Sequence, residues 1–369
     1  MSRPLTVIQL LPALRGGGAE RSAIEIAAAL RRAGHRAIVI SAGGALEREL
    51  RNEGGEHLTL DIGSKRIATW FRARALARVF AELKPDIVHA RSRLPAWLGW
   101  RAIRRLPPPR PHFLTTAHGL YRPGWWSSIM TRGERVIAVS ETVRAHLLQH
   151  WPRLDPERIR VIPRGINPLA WPYGYRPMAE WLATFHREYP ALAGGPLMTL
   201  PARGTRRKGH AVAIRLLAKL RGSGLDVRLL LLGVLEGARS SYRQELERLT
   251  DRLRLRPWVV FAPMRQDIRE IYATSALVLQ LSTEPEAFGR TVIEALALGR
   301  PVIGFAHGGV GELLAELYPP GIVPACDEGA LAERAQALLN APPPVPRFSG
   351  YTVAAMQQAT LAVYEELIR

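Results

Sequence analysis

The stretch "ALVLQLSTEPEAFGRTVIEALALGRPVIGFAHGG", Ala276 to Gly309, reads as an apolar strand, an acidic loop, a glycine, an amphipathic helix, a Gly-Arg-Pro stop and a second strand. A strand of continuous apolar residues followed by a helix and another such strand is a parallel βαβ unit, covered on both faces. The theme recurs along the chain. In the first half "LTVIQLL", "RAIVISAG", "DIVHA", "HFLTTA" and "RVIAVS" read as strands, with the helical pattern "AERSAIEIAAALRRAG" after the first. In the second half "PLMTLPA", "DVRLLLLGV", "WVVFAP", "ALVLQLS" and "RPVIGFA" do the same, with "GHAVAIRLLAKLRGSG" as a helix. The expectation is an α/β protein of two Rossmann-like, doubly wound domains facing a cleft.

The chain has 369 residues, about right for two domains of ordinary size. Domains are expected at 1–170 and 190–350, divided within the Pro-, Gly- and aromatic-rich segment 163–196. The proline run "APPPVPRF" then leads to a final helix at 351–369, roughly Val353 to Ile368, expected to pack back on the N-terminal domain. With 47% hydrophobic and 22% charged residues the chain is globular. Its one cysteine, Cys326, excludes an internal disulfide and a Cys-based zinc site, and a cytosolic address fits. The apolar run near the N-terminus reads as a buried first strand, not a leader peptide. Arg or Glu interrupts every segment that might span a bilayer, so any membrane role is expected to be peripheral.

The net charge of +19 is unevenly spread: residues 1–170 hold 28 Lys and Arg against 13 Asp and Glu, the remainder 23 against 19. Nucleic acid, an anionic membrane or simply a solvated basic surface would each account for such a field. "KRIATWFRARALARVF" sets Lys65, Arg66, Arg72, Arg74 and Arg78 among Ile67, Trp70, Phe71 and Leu76. Similar mixtures recur at Arg93 to Arg105 and in "GLYRPGWWSSIMTR" after His118. Interleaved bases and aromatics suit an anionic membrane carrying a lipid-linked or phosphorylated acceptor; core aromatics under a solvated basic face is the plainer alternative. No nucleic-acid motif accompanies the charge, so nucleic acid is not expected as a partner.

Three βα loops carry the chemistry. "RGGGAER", Arg15 to Arg21, follows the first strand and opens a helix, where glycine amides and the positive helix end suit an anion. Its spacing is not that of the dinucleotide fingerprint. "LPARGTRRKGH" places Arg203 and Lys208 on the loop after the first strand of the second half, a fork and a point charge suited to diphosphate oxygens; Arg206 and Arg207 read as solvated companions. In the opening stretch Glu286 precedes the helix and Glu294 lies inside it, so they are no glycosidase-like carboxylate pair. A hydroxyl-rich group at Glu286, a diphosphate on the amides of Ala287 to Arg290 and a ribose diol at Glu294 would fit, which describes a sugar nucleotide. Glu294 among Ile293, Ala295 and Leu296 needs a reason to be there.

The stretch resembles the E-x7-E signature of the retaining GT-B glycosyltransferases of family four, in which an "EGFG"-like loop precedes "EA.A.G.PV". Further pieces stand in register: Gly16 to Gly18, "AGH" at Ala33 to His35, "VHARS" at Val88 to Ser92, "TAHG" at Thr116 to Gly119, "VIAVSE" at Val136 to Glu141, and "GGVGE" at Gly308 to Glu312. The resemblance implies the GT-B fold and transfer of a sugar, with retention, from a nucleotide sugar to a glycan or glycolipid acceptor. Glu286 with the amides of Ala287, Phe288 and Gly289 would grip the donor sugar, Glu294 the ribose, Arg203 and Lys208 the diphosphate. Gly17 and Gly18 would approach the phosphate, and His118 would face the sugar across the cleft. Two departures stand out: Arg164-Gly165 where the family usually has Asn-Gly, and Ala202-Arg203 where it has Gly-Arg. The wording around "ARSRLPAW" and "STEPEAFGR" is similar to the branch associated with lipopolysaccharide and other envelope glycans, which implies a place at the inner face of the cytoplasmic membrane. The chain has no Asp-x-Asp, so no metal or other cofactor is expected. An epimerase of the same fold and a basic nucleic-acid-binding module remain as alternative readings.

Overall fold

The computed structural model describes residues 3–64, 66–235 and 240–369. The chain divides into two compact units, Met1–Gly165 with Tyr351–Arg369, and Ile166–Gly350. Within the segment 163–196 the break falls early, so the rest of that segment from Ile166, including the helix Ala179–Glu188, belongs to the second unit.

The first unit is built on seven parallel strands: β1 (Thr6–Leu10), β2 (Arg36–Ser41), β3 (Glu56–Thr59), β4 (Ile87–Ala90), β5 (His112–Ala117), β6 (Arg135–Ala138) and β7 (Ile159–Val161), in the order β3-β2-β1-β4-β5-β6-β7. The order reverses between β1 and β4, the switch point at which open α/β sheets form their ligand crevice. One face packs the helix Gly18–Arg32 and the C-terminal helix Val353–Ile368, with Met356, Val363, Tyr364 and Leu367 in the same core as Leu30 and Val39. The C-terminal helix thus packs back on the N-terminal unit as expected. The other face buries Leu76, Phe80, Trp97 and Leu98. Where the chain leaves this unit and returns to it, Gly165 crosses Thr352: a Cβ there would stand 2.1 Å from the Thr352 carbonyl carbon, which only glycine avoids.

The second unit carries six parallel strands, β8 (Leu197–Pro201), β9 (Arg228–Leu232), β10 (Val259–Ala262), β11 (Leu277–Gln280), β12 (Val302–Phe305) and β13 (Ile322–Val323), ordered β10-β9-β8-β11-β12-β13. β11 and β12 lie side by side in register, Val278 opposite Val302, so the quoted βαβ stretch folds as read. The proline run after it is tied down: the Tyr173 and Tyr318 hydroxyls donate to the carbonyls of Val345 and Pro343 at 2.8 and 3.1 Å. The edge strands β3, β7 and β13 were not among the expected ones.

Candidate functional site

In the second unit the loop 281–289 leaves β11 and enters the helix Arg290–Ala297. Glu286 sits on it, held at both side chain and backbone. Its Oε1 accepts from Lys208 Nζ at 2.6 Å and from the Ser282 hydroxyl. Oε2 has no partner among the described residues. Its carbonyl accepts from the Gly309 amide at 2.7 Å. This close approach explains the double glycine of "GGVGE". A Cβ on Gly308, which stands at φ +62°, would lie 2.6 Å from the backbone of Glu286, and one on Gly309 would lie 2.6 Å from the Cα of Phe288. The helix Gly308–Leu317 therefore serves as an anvil for the acidic loop. His307, at its N-terminus, donates from Nε2 to the Ser282 carbonyl at 2.8 Å.

Lys208 ends a short 3-10 turn, Arg206–Lys208, between β8 and the helix His210–Gly222. Its side chain and that of Glu286 are 19% and 22% exposed, so the pair is reachable from solvent. An ammonium has three N–H donors, so the bond to Glu286 leaves two more N–H groups on Lys208. Arg203, on the same loop, is exposed and its guanidinium bonds no described residue. Arg206 is not merely solvated: it pairs with Glu245 at 2.5 Å and lies over the Tyr242 ring, whose hydroxyl burial pushes up to about 12. Phe288 is buried, Gly289 caps the helix, and Ala287 stands half-buried between Glu286 and Phe288. Glu294 is not closed in all round. Its side chain is 12% exposed and accepts from Arg290 Nε at 2.8 Å, an i, i+4 pair whose spacing was visible in the sequence and was not used. The buried Tyr272 hydroxyl is held well above its ordinary range, by burial and then by the charge of Glu294.

The first unit arranges its groups differently. Of the two glycines expected to approach a phosphate, Gly17 and Gly18, the first has its amide, with that of Gly16, bonded to the carboxylate of Glu20 at 3.0 and 2.5 Å, so this turn already holds an anion of its own. Around Gly18 a Cβ would meet nothing within 4 Å, so this glycine faces open space. His118 follows β5; its amide donates to the Tyr121 hydroxyl at 3.1 Å. The Arg164 guanidinium donates to His118 Nδ1 and to the Ser22 hydroxyl. The same guanidinium nitrogen also lies 3.2 Å from Nε2, so Arg164 lies against both ring nitrogens of His118. Burial, and then the facing charges of Arg164 and Arg91, hold this imidazole well below its ordinary range, hence neutral at pH 7.

A buried polar chain continues beneath it. Arg91 Nε donates to Gln9 Oε1 at 2.8 Å, Gln9 Nε2 donates to the Ala23 carbonyl at 2.9 Å, and His89 bonds Tyr364 at 2.8 Å and Thr116 at 2.6 Å. Arg164 entered the sequence reading only as a departure from a motif, and Gln9, Ser22 and Arg91 not as site residues at all. A polar residue in the apolar run "LTVIQLL" and an arginine closing "DIVHA" were the available signals.

The basic and aromatic stretches of this unit form a shelf. Arg104 lies over Trp100 at 4.7 Å, Arg132 over Trp100 at 4.7 Å and Trp97 at 5.3 Å, and Arg101 over Trp70 at 5.3 Å. Trp97 and Trp125 stack at 4.5 Å. Leu76 is core, whereas Phe71 and Trp125 are 67% and 64% exposed and Arg66, Arg72, Arg74 and Arg78 point outward. Lys65 and the side chain of Ile67 lie outside the described residues. Among the described residues no helix is long and apolar enough to cross a membrane.

The family model for Glycosyltransferase Family 4 matches residues 16–168, and that for Glycosyl transferases group 1 matches residues 184–352. The chain belongs to the family 4 glycosyltransferases. The structure of a glycosyltransferase from Rickettsia africae ESF-5 is 30% identical over the whole of both chains, with a TM-score of 0.85. Anabaena Alr3699/HepE, solved in complex with UDP and glucose, superposes with a TM-score of 0.78 over 98% of this glycosyltransferase and all of that chain, and at 20% identity this likeness speaks to the GT-B fold alone. A D-inositol 3-phosphate glycosyltransferase from Mycobacterium sp. (strain KMS) is 28% identical over 278 residues, 70% of this chain. The glycosyltransferase spans about 60% of the length of such curated relatives.

Proposed function

We propose that this glycosyltransferase moves a sugar, with retention and without a metal ion, from a nucleoside-diphosphate sugar to a glycan or glycolipid acceptor of the bacterial envelope, lipopolysaccharide being the leading candidate. It works in the cytoplasm, at the inner face of the membrane, which the basic shelf of the first unit suits. The observation that carries the reading is the fixed carboxylate of Glu286, bonded through Oε1 to Lys208 and Ser282, with its other oxygen available at the start of the helix that bears Glu294. That oxygen accepts from donor-sugar hydroxyls; the spare N–H groups of Lys208 and the fork of Arg203 take the diphosphate. Glu294 turns from Arg290 to the ribose diol, while Ala287, Phe288 and Gly289 present backbone beside the sugar. Gly17 and Gly18 hold a phosphate in competition with Glu20, and the neutral imidazole of His118 faces a sugar hydroxyl.

In the reaction the bond between the anomeric carbon and the diphosphate oxygen breaks and its electron pair leaves with the diphosphate. The acceptor hydroxyl oxygen bonds the same face of that carbon, and its proton passes to the departing phosphate oxygen. The cationic side chains stabilise the charge that develops on the leaving group, which is where a transferase gains most. The name of the mycobacterial relatives, for D-inositol 3-phosphate, supports a polar, phosphorylated acceptor.

The test is a thermal-shift screen of UDP, GDP, ADP and their sugar conjugates, without added metal, on the wild type and Glu294→Ala. A ligand that binds only the native state raises the midpoint by mass action. A shift selective for one base and lost in Glu294→Ala is the expected result. No shift with any nucleotide at saturation would remove the donor-site reading.

A further inference from the structure

The first unit contains a cleft of about 510 Å3 that the donor-side reading does not use, lined among others by Arg66, Trp70, Ser92, Arg93 and Trp126. We propose that this cleft binds the acceptor, and that the unit it receives is a monosaccharide carrying an anionic substituent, phosphate or carboxylate. The inference rests on the transferase reading for the word acceptor, and on the cleft itself for the chemistry. The volume lies in the range of small-molecule sites. Trp70 and Trp126 meet edge to face, with centroids 5.9 Å apart and planes at 70°, giving an aromatic corner for the apolar face of a pyranose ring.

The polar groups of the cleft decide between a neutral and an anionic sugar. A neutral sugar offers hydroxyls, which need acceptors as well as donors, and carboxylates serve them best; among the described residues none lining the cleft is acidic. Arginine only donates, in a fork that matches phosphate and carboxylate. Arg93 is set in place before any ligand arrives: its guanidinium lies 5.1 Å over the Tyr121 ring, and Nη1 donates to the Ser127 hydroxyl at 3.3 Å, leaving four of its five N–H groups. Ser92, ahead of the helix Arg93–Ile103, does not spend its hydroxyl on capping that helix. The same segment ties the cleft to the chemistry, because the Tyr121 ring under Arg93 carries the hydroxyl that receives the His118 amide. A sugar lodged against Trp126 is thereby held on the loop that begins with the histidine assigned to the donor.

The test uses the full chain labelled with nitrogen-15 and follows the indole N–H signals of Trp70 and Trp126, with Trp258 of the other unit as reference. Glucose 6-phosphate, glucuronate, glucose, inorganic phosphate, and vesicles of phosphatidylglycerol and phosphatidylcholine are added in turn. Glucose 6-phosphate or glucuronate is expected to move both indoles at concentrations well below those needed of glucose or phosphate, with Trp258 unmoved. Arg93→Gln should weaken that binding roughly tenfold to a hundredfold, the worth of a hydrogen bond between charged groups. Arg66→Gln, at an exposed position safe for folding, should weaken it less. Inorganic phosphate acting as well as the hexose phosphate would reduce the cleft to a bare anion site and overturn the proposal. Vesicles acting where free anionic sugars do nothing would make it a membrane surface and overturn it equally, as would silence from every probe. A nucleotide shift that persists through such a failure leaves the transferase reading intact, so the two fail separately.

Discussion

The two units hold their functional groups by opposite electrostatic means. In the second, each candidate carboxylate meets a cation: Lys208 against Glu286, Arg290 against Glu294. In the first, Arg164 and Arg91 face imidazoles, a hydroxyl and an amide. A paired site keeps its charges and lends them to a ligand. A site of cations around buried imidazoles instead keeps the imidazoles neutral, and so stays a set of hydrogen-bond donors over the whole physiological range. Such a difference suits one unit that neutralises a leaving diphosphate and another that orients sugars.

The largest effect should come from breaking the paired site. Lys208→Ala removes the ammonium proposed for the leaving diphosphate and leaves Glu286 with Ser282 alone. The turnover rate, measured as nucleotide release from the donor that the thermal screen selects, should fall by about a hundredfold to a thousandfold, as for the loss of one preorganised electrostatic donor. A loss under tenfold would detach this loop from the diphosphate.

Acid should separate the units next. His57, His89 and His118 of the first unit, and His210 of the second, are held below their ordinary value near 6.5, chiefly by burial. Where the folded value is depressed, the unfolded chain binds the extra proton, so stability is full above pH 6.5 and is lost as pH falls toward the folded values. Each such histidine contributes up to about 1.4 kcal/mol per pH unit in that window. The depressed carboxylates, such as Glu56 and Glu366, act only below about 4.5. Between pH 6.5 and 5 the first unit should therefore lose stability faster, as read by hydrogen exchange resolved to each unit. Arg164→Asn, which installs the family's usual residue, should raise the His118 titration seen by NMR, since one of the charges opposing protonation is gone. Equal acid sensitivity of both units would erase the comparison.

How far this division was legible beforehand follows from sequence distance. The continuous apolar runs gave away the central strands, and Glu286 and Glu294 announced themselves because strand, loop and helix occupy one short stretch. The edge strands did not: "EHLT" of β3 is polar and largely uncovered, and β13 has two residues. Arg164 was seen but not understood, because Ser22 and His118, 142 and 46 positions away, are joined to it only by the fold. Nor could the glycine turn reveal that Glu20 fills its amides, although a glutamate three residues after an N-cap glycine is the spacing that does so. Local chemistry was readable; partnership across the sheet was not.

A smaller effect tests the anvil under Glu286. Gly309→Ala puts a methyl group within 2.6 Å of the Phe288 Cα, where only backbone can yield. Overpacking of this kind should cost the second unit about 1–3 kcal/mol and shrink the nucleotide-induced shift by moving the loop 286–288. An unchanged shift at unchanged stability would show that the loop is positioned by Lys208 and Ser282 alone.

The smallest expected effect sharpens the boundary of the paired site. Arg206 stands two residues before Lys208 and bonds Glu245 at 2.5 Å, yet the two side chains are 67% and 49% exposed. In solvent of high dielectric an ion pair gains little over its separately hydrated partners and loses side-chain freedom, so Arg206→Ala should change stability by about 0.5 kcal/mol or less. The thermal midpoint should stay within a degree or two of wild type, and the nucleotide shift should be retained. Lys208, less than a third as exposed as Arg206 and bonded to Glu286, whose carboxylate is held by Ser282 and whose backbone carbonyl is held by Gly309, is set apart from it by those contacts and not by charge. If Arg206→Ala removed the nucleotide shift as Lys208→Ala is expected to, the donor phosphates would be gripped by the solvent-facing cations of the loop, and Lys208 would be left as the structural partner of Glu286.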